Sequence, residues 1–223
     1  MADADRLPPR LWWVLVGLTF AWGFNWSAMK IALHEITPWV FRSLCLGLGS
    51  TVLFLVLRAS GQKVTVPAGQ WPRLALLAFF NITCWNLMVA YGLTMIASGR
   101  AAILAYTMPV LAVPLSVWLL GERLTSRKIA GLVLGLGGLA LLLGEAVAGL
   151  GASPLGSLLA LGAAFTWALG VVLQKRYPVS MPTLPYTAWI MLLGGVPVII
   201  GSFVFEDWRV LGGAGRWAWL GVA

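Results

Sequence analysis

The chain has 223 residues, of which 60% are hydrophobic and only 10% are charged. A soluble globular protein carries about 25% charged residues, because water must wet its surface. This composition excludes a soluble domain and is typical of a protein whose helices cross a membrane several times. The net charge of +8 comes from basic residues scattered between apolar runs, which argues against a nucleic-acid-binding face.

Long runs without charged residues divide the chain into segments of similar length. A helix that crosses a hydrocarbon core of about 30 Å needs roughly 17–25 residues, and these runs match that length. We therefore predict an all-α, polytopic transmembrane helix bundle. Its helices are expected near residues 11–31, 38–57, 73–95, 101–120, 128–145, 155–175 and 184–205, with an eighth beginning at Trp217.

The basic residues indicate the orientation of the bundle, because lysine and arginine are retained on the cytoplasmic side of a membrane. With the N-terminus inside, ten basic residues lie on the inner side and four on the outer side. We therefore predict an integral protein of a bacterial-type cytoplasmic (inner) membrane with its N-terminus inside. The inner set is Arg6, Arg10, Arg58, Lys63, Arg73, Arg123, Arg127, Lys128, Lys175 and Arg176, and the outer set is Lys30, Arg100, Arg209 and Arg216.

Few side chains could build a catalytic or metal centre. Cys45 and Cys84 lie within apolar segments, and His34 is the single histidine of the sequence. Metal sites and acid–base catalysis need several such groups close together. We expect no metal, no cofactor and no enzymatic activity, although an integral-membrane enzyme without a recognisable catalytic constellation stays an alternative.

A weak internal repeat recurs at an offset of about 146 residues. One unit holds five helices, an odd number, so a second unit would begin on the opposite side of the membrane, as in many secondary transporters. We predict a first repeat over 1–150 with five helices and an incomplete second repeat over 151–223 with helices six, seven and the start of eight. Chance similarity between apolar helices is the alternative. The matches pair 20–23 with 165–168, Pro38 with Pro185, and Trp71 with Trp217.

Several motifs resemble a known family. The segment 97–104, then Pro109, then Gly121-Glu122, is similar to the end of the EamA repeat of the drug/metabolite transporter (DMT) superfamily. The aromatic segment 20–25 and Arg42 also resemble that family, and the resemblance runs from residue 11 onward. It implies ten helices in two inverted five-helix halves that export small metabolites, such as amino acids or toxic compounds. The sequence ends before a second Pro…Gly-Glu, as a fragment or a natural truncation.

Polar and aromatic residues within the predicted spans are candidates for a central binding pocket. One face of the first helix is defined by the i, i+3, i+4, i+7 spacing of Trp22, Asn25, Trp26 and Met29, and the third helix repeats this spacing at Asn81, Trp85 and Met88. Aromatic walls with a few polar groups suit a small amphipathic solute, although amides in spans also form interhelical hydrogen bonds. Arg42 is read either as an anion clamp at the outer mouth or as a snorkelling anchor. The candidate substrate-binding residues are Trp22, Asn25, Arg42, Asn81, Trp85, Asn86, Tyr91, Tyr106, Trp167 and Trp189.

Prolines and small residues within the spans predict bends and close contacts. Pro109, Pro114 and Pro197 remove backbone donors, so we expect kinks that serve as gating points or simply satisfy packing. The seam Gly131-x-x-x-Gly135 allows close helix contact, either within the scaffold or in a homodimer. A second small-residue seam runs through Ala160, Ala164 and Ala168.

Together these features predict a secondary transporter that exports small metabolites, amino acids or related amphipathic compounds, by alternating access. Its expected partners are a small-molecule solute and membrane lipid, with a homodimer as an open possibility and no nucleic acid. The acidic residues all fall near the ends of spans, which leaves the energy coupling open, either proton-driven or facilitated. A non-transporting membrane scaffold or subunit is a further alternative.

Overall fold

A computed structural model of the chain describes residues 9–150 and 153–222. Every regular element in those two ranges is helical, which confirms the predicted all-α class. Each predicted helix is present and most extend by a few residues at their ends. The helices are α1 (Pro9–Ala32), α2 (Pro38–Ala59), α3 (Trp71–Met95), α4 (Ser98–Leu120), α5 (Ser126–Leu150), α6 (Pro154–Arg176), α7 (Thr183–Phe205) and α8 (Arg216–Leu220), with a 3₁₀ turn over Trp208–Gly213 before α8.

Five of these helices, α2, α3, α4, α6 and α7, are long and apolar enough to cross a membrane. Their lengths of 22 to 25 residues fit a hydrocarbon core of about 30 Å. The prediction of a polytopic membrane bundle is therefore confirmed. Helices α1 and α5 form as predicted, and their own crossing of the membrane stays a prediction.

Helix α6 lies at the centre of the bundle, against α3 and α4, while α7 packs against α2 and α3. The predicted small-residue seam of α6 is buried at Ala160, Ala164 and Ala168. A Cβ atom added to Gly92 of α3 would lie 3.2 Å from the carbonyl oxygen of Gly156. Small side chains thus let the backbones of α3 and α6 approach closely, as is common in membrane bundles.

Polar contacts connect several helix termini at one end of the bundle. The ammonium of Lys30, near the end of α1, donates to the carbonyl of Ile96, just after α3, at 3.0 Å. The Ile96 side chain lies against Gly156, at the start of α6. The carboxylate of Glu206, just after α7, accepts a hydrogen bond from the backbone N–H of Val40, at the start of α2, at 3.0 Å.

The remaining termini meet at the opposite end. The guanidinium of Arg176, at the end of α6, donates to the carbonyl of Leu119, near the end of α4. The side chain of Gln70, just before α3, accepts a hydrogen bond from the backbone N–H of Ser180, just before α7, at 2.8 Å. Helix α6 therefore begins beside the end of α3 and ends beside the end of α4.

Two spans depart from regular α-helical geometry. Helix α3 contains a π-helical segment over Phe79–Cys84, a feature frequently found at functional sites. Helix α4 is interrupted between Ala105 and Met108, and Pro109 lies in the first turn after the interruption, where a missing N–H is tolerated. Pro114 and Pro197 lie within continuous helical segments. A gating role for the three prolines stays a prediction.

The predicted glycine seam of α5 contacts α4 within the chain. A Cβ atom added to Gly135 would lie 3.1 Å from the Val110 side chain, whereas one added to Gly131 would meet open space. Gly131, Gly135 and Pro109 border a shallow groove between the two helices. At Gly135, therefore, the seam serves the internal scaffold, and a homodimer stays an open possibility.

Candidate functional site

A cavity of about 230 Å³ opens between α1, α2, α3, α4 and α6. Seven of the ten candidate substrate-binding residues line this cavity. The helices that carry them come from both predicted repeats. The lining residues are Trp22, Asn25, Trp26, Met29, Arg42, Trp85, Asn86, Val89, Tyr106, Met108 and Trp167.

Two pairs of aromatic rings form walls of the cavity. Trp85 of α3 and Trp167 of α6 have ring centroids 4.9 Å apart in a tilted arrangement. Trp26 of α1 meets Tyr106 of α4 edge-on at 6.0 Å, and its indole N–H donates to the Tyr106 hydroxyl at 3.2 Å. Such pairs are worth about 0.5–1.5 kcal/mol beyond the area they bury, so each wall connects two helices with a defined geometry.

Arg42 brings the only formal charge among the cavity-lining residues. It lies in the second turn of α2, and its side chain is 8% exposed. Its Nε atom donates to the Asn86 carbonyl at 3.2 Å, and its Nη2 atom lies 3.1 Å from the sulfur of Met29. The guanidinium therefore contacts α3 and α1 inside the bundle and does not extend towards the membrane surface as a snorkelling side chain would. Its role in binding stays a prediction.

The two asparagines of the cavity differ in their environment. Asn86 is half-buried, and its amide donates to the carbonyl of Ile82 at 2.8 Å, close to the π-helical segment. This bond uses one N–H group of the amide, whose oxygen and second N–H are further hydrogen-bonding groups. Asn25 is exposed on α1. The cavity thus offers amide groups to a solute as well as aromatic faces.

The other three candidates lie outside the cavity. Asn81 is buried in the π-helical segment against Gly170 of α6, where none of the described residues donates a hydrogen bond to its side-chain oxygen. Tyr91 lies further along α3, near Glu206. Trp189 of α7 donates its indole N–H to the Val64 carbonyl at 2.7 Å. Their expected place in the pocket lining is therefore not found.

Comparison with known proteins identifies the family of the chain. The model of the EamA-like transporter family matches residues 11–144 and again 154–223. The chain belongs to this family.

Named relatives of this EamA-like chain include an uncharacterized transporter, YoaV, of Bacillus subtilis. It is 30% identical over 193 residues, which are 86% of this chain and 66% of the relative. A probable amino-acid metabolite efflux pump of Escherichia coli is 25% identical over 205 residues, covering 83% of this chain and 61% of that protein. The chain thus spans 61–66% of the length of these two relatives.

A protein of known crystal structure shares the fold of this EamA-like chain. Its TM-score is 0.64 at 26% sequence identity, and the match covers 89% of this chain and 69% of the other.

Four lining residues of the EamA-like chain are absent from the ten candidate substrate-binding residues. Two of them, Trp26 and Met29, were expected on the pocket-facing side of α1 from their helical spacing with Trp22 and Asn25. Val89 lies one turn after Trp85 on α3, so its spacing also placed it on the face of that helix that lines the cavity. The sequence could not indicate Met108, because it follows the interruption of α4 and no helical spacing relates it to Tyr106.

At the end of the bundle away from Lys30, Glu122 joins elements from both predicted repeats. Its carboxylate pairs with Lys128 of α5 at 2.6 Å and with Lys175 of α6 at 3.5 Å. The hydrogen bond from Lys128, together with the charges of both lysines, holds the pKa of the Glu122 carboxyl below its usual value. Among the residues that the structure describes, no group of three or more His, Cys, Asp or Glu side chains could hold a metal ion.

Proposed function

We propose that this EamA-like chain belongs to a secondary transporter that exports small amphipathic metabolites across the cytoplasmic membrane, with its N-terminus inside. The observation that carries the proposal is the cavity, which has aromatic walls, amide groups and one buried guanidinium between helices of both repeats. Concave sites with apolar walls and a few polar groups are the usual form of small-molecule sites.

The proposal includes two inverted repeats over 1–150 and 151–223. Two observations support it. The family model matches the chain twice, over 11–144 and 154–223. In addition, the end of α1 and the start of α6 share one end of the bundle, through Lys30, Ile96 and Gly156, so the first helices of the two units run in opposite directions.

In the proposed mechanism, the two repeats move against each other around the cavity and expose it alternately to each side of the membrane. Trp22 and Trp167, which the internal repeat pairs with each other, both line the cavity. This supports a chamber shared by both units. The solute is moved without covalent chemistry, and the lining residues include no carboxylate, histidine or cysteine that would serve a catalytic mechanism.

The Escherichia coli relative is named a probable amino-acid metabolite efflux pump, which supports amino acids or related compounds as the solute class. We also propose that the chain forms a homodimer through the small-residue seam of α5, where a Cβ atom added to Gly131 would meet no atom of the described chain within 4 Å. Cross-linking between cysteines placed at Gly131 in two copies tests that arrangement.

Reconstitution of the purified chain in liposomes tests the proposed function. Liposomes loaded with a mixture of labelled amino acids and their simple derivatives should release at least one of them faster than protein-free liposomes. Chemical conversion of a solute would instead favour an enzyme. The absence of both flux and conversion would favour a scaffold or subunit and contradict the proposal.

A further inference from the structure

The guanidinium of Arg42 is only partly engaged by the protein. It has five N–H donors, and the described residues engage it at Nε and at Nη2. The acceptor at Nη2 is the Met29 sulfur, which is a weak acceptor. In the parts of the chain that the structure describes, Nη1 has no hydrogen-bond partner, and the ring of Phe41 lies 5.1 Å from the guanidinium carbon.

The charge of Arg42 is also unopposed. No carboxylate of the described residues forms an ion pair with it, and the other ten cavity-lining residues carry no formal charge. A charged group inside a membrane bundle is costly unless a partner of opposite charge compensates it. The cavity therefore carries one buried positive charge whose counter-charge the described chain does not supply.

We infer that the cavity selects solutes that carry a carboxylate, and that Arg42 binds this group. The inference rests on the proposed transport function and names its solute class. A planar guanidinium matches a carboxylate in shape, because two parallel N–H groups can donate to its two oxygens. The available Nη1 atom and the remaining N–H of Nη2 form one such edge.

The other lining residues determine which kind of molecular body can carry the carboxylate. The Trp85–Trp167 pair and the Trp26–Tyr106 pair present apolar ring surfaces, so the body of the solute is aromatic or aliphatic. One guanidinium compensates one negative charge, which favours a monocarboxylate over a phosphate dianion. A purely cationic solute is disfavoured, since no carboxylate lines the cavity. Simple acids and zwitterionic amino acids share the required group.

The test compares four probes that differ only in charge. They are 3-phenylpropanoate, phenylalanine, 3-phenylpropanamide and phenylalaninamide, and binding to the purified full chain in detergent is measured by isothermal titration calorimetry. Hydrogen bonds to charged groups are among the strongest in proteins. We therefore expect at least one of the two carboxylates to bind about 10- to 100-fold more tightly than its own amide, and the better of the two identifies the simple acid or the zwitterion as the solute type.

Variants of Arg42 separate binding from a structural role. Arg42→Gln should reduce the acid-to-amide affinity ratio to about one, whereas Arg42→Lys should retain part of it through its charge. Arg209→Gln removes an exposed positive charge outside the cavity and should leave the ratio unchanged. Size-exclusion profiles and melting temperatures of all variants show whether each one folds, and the ratio is read only from folded protein.

Equal binding of acids and amides by the unmodified chain would overturn the inference. So would an acid preference that persists in Arg42→Gln, or the absence of binding by all four probes. These results leave the proposed function intact if liposomes still transport another solute. Absence of flux for every solute, in contrast, contradicts the proposed function itself.

Discussion

Replacing Gly170 by alanine should destabilise the bundle, because α6 lies directly against the Asn81 side chain of α3. A Cβ atom on Gly170 would lie 1.8 Å from the side-chain oxygen of Asn81, 2.4 Å from its carbonyl carbon and 2.9 Å from its nitrogen. Since a relaxed C···O contact measures about 3.3 Å, the whole amide must move by roughly 1.5 Å. Asn81 is only 6% exposed, so little space is available for that movement.

The size of the effect follows from two opposing terms. Overpacking a well-packed interior costs about 1–3 kcal/mol, whereas glycine to alanine within a helix gains up to about 1 kcal/mol. We expect Gly170→Ala to lower the free energy of unfolding by up to about 2 kcal/mol relative to the unmodified chain. For a chain of this length this corresponds to a decrease of up to about 8 °C in melting temperature. Thermal unfolding in detergent, followed by tryptophan fluorescence, measures it.

A second substitution tests the cause. Asn81→Ala removes the amide that the new Cβ would meet, and with it a buried oxygen to which no residue of the described ranges donates a hydrogen bond. The double variant Asn81→Ala/Gly170→Ala should therefore regain most of the lost melting temperature. Gly47→Ala, in α2, is the matched control, because its Cβ would meet no atom within 4 Å. A Gly170→Ala variant as stable as the Gly47→Ala control would refute the reasoning.

The remaining predictions concern the cavity, the end of the bundle near Glu122 and one interhelical bond. Trp22→Ala should lower the rate of solute release from liposomes at unchanged protein abundance. Trp118 is an exposed tryptophan outside the cavity, so Trp118→Ala should leave the rate unchanged. Equal effects of the two substitutions would contradict the proposal that the cavity binds the solute. The ion pairs of Glu122 stabilise the fold fully above the unfolded-state pKa of this carboxyl, about 4.3. Their contribution is lost as the pH falls through the lowered folded-state pKa. The loss of melting temperature below pH 5 should therefore be smaller in Glu122→Gln than in the unmodified chain. Thr83→Val removes a buried 2.7 Å hydrogen bond to the carbonyl of Gly194 and should cost about 0.6–1.7 kcal/mol, measured as a lower melting temperature; an unchanged value would show that the bond contributes nothing.

The sequence was sufficient to predict the helices and much of the cavity. Charges bracket each apolar run, so the bounds of the spans follow from the cost of placing charge in the membrane. The i, i+3, i+4 spacing of Trp22, Asn25 and Trp26 placed them on one face of α1, and the structure shows all three in the lining.

The interruptions of the helices were not predictable to the same degree. The π-helical segment over Phe79–Cys84 contains neither proline nor glycine, so no local signal marks it. Pro109 indicated a disturbance in α4, but the break falls at Tyr106 and Thr107. It is this position that brings Tyr106 and Met108 into the same cavity.

The placement of Trp189 and Asn81 depended on tertiary contacts. Trp189 resembles Trp85 in the sequence, since both are tryptophans within apolar helices. The carbonyl of Val64 accepts its indole N–H, and the rings of Phe54 and Trp71 meet it edge-on at 5.2 and 5.0 Å. Helical spacing placed Asn81 with Trp85, but Asn81 lies within the π-helical segment and contacts Gly170 instead.

Site-specific labelling of single cysteines tests the inverted arrangement most directly. In a chain whose Cys45 and Cys84 are replaced by alanine, Ser60→Cys and Ser153→Cys place one thiol after α2 and one before α6. A membrane-impermeant maleimide applied to intact cells should label Ser153→Cys only, and Ser60→Cys should react only after the membrane is permeabilised. Labelling of both positions from the same side would contradict the two inverted repeats and the shared cavity on which the transport proposal depends.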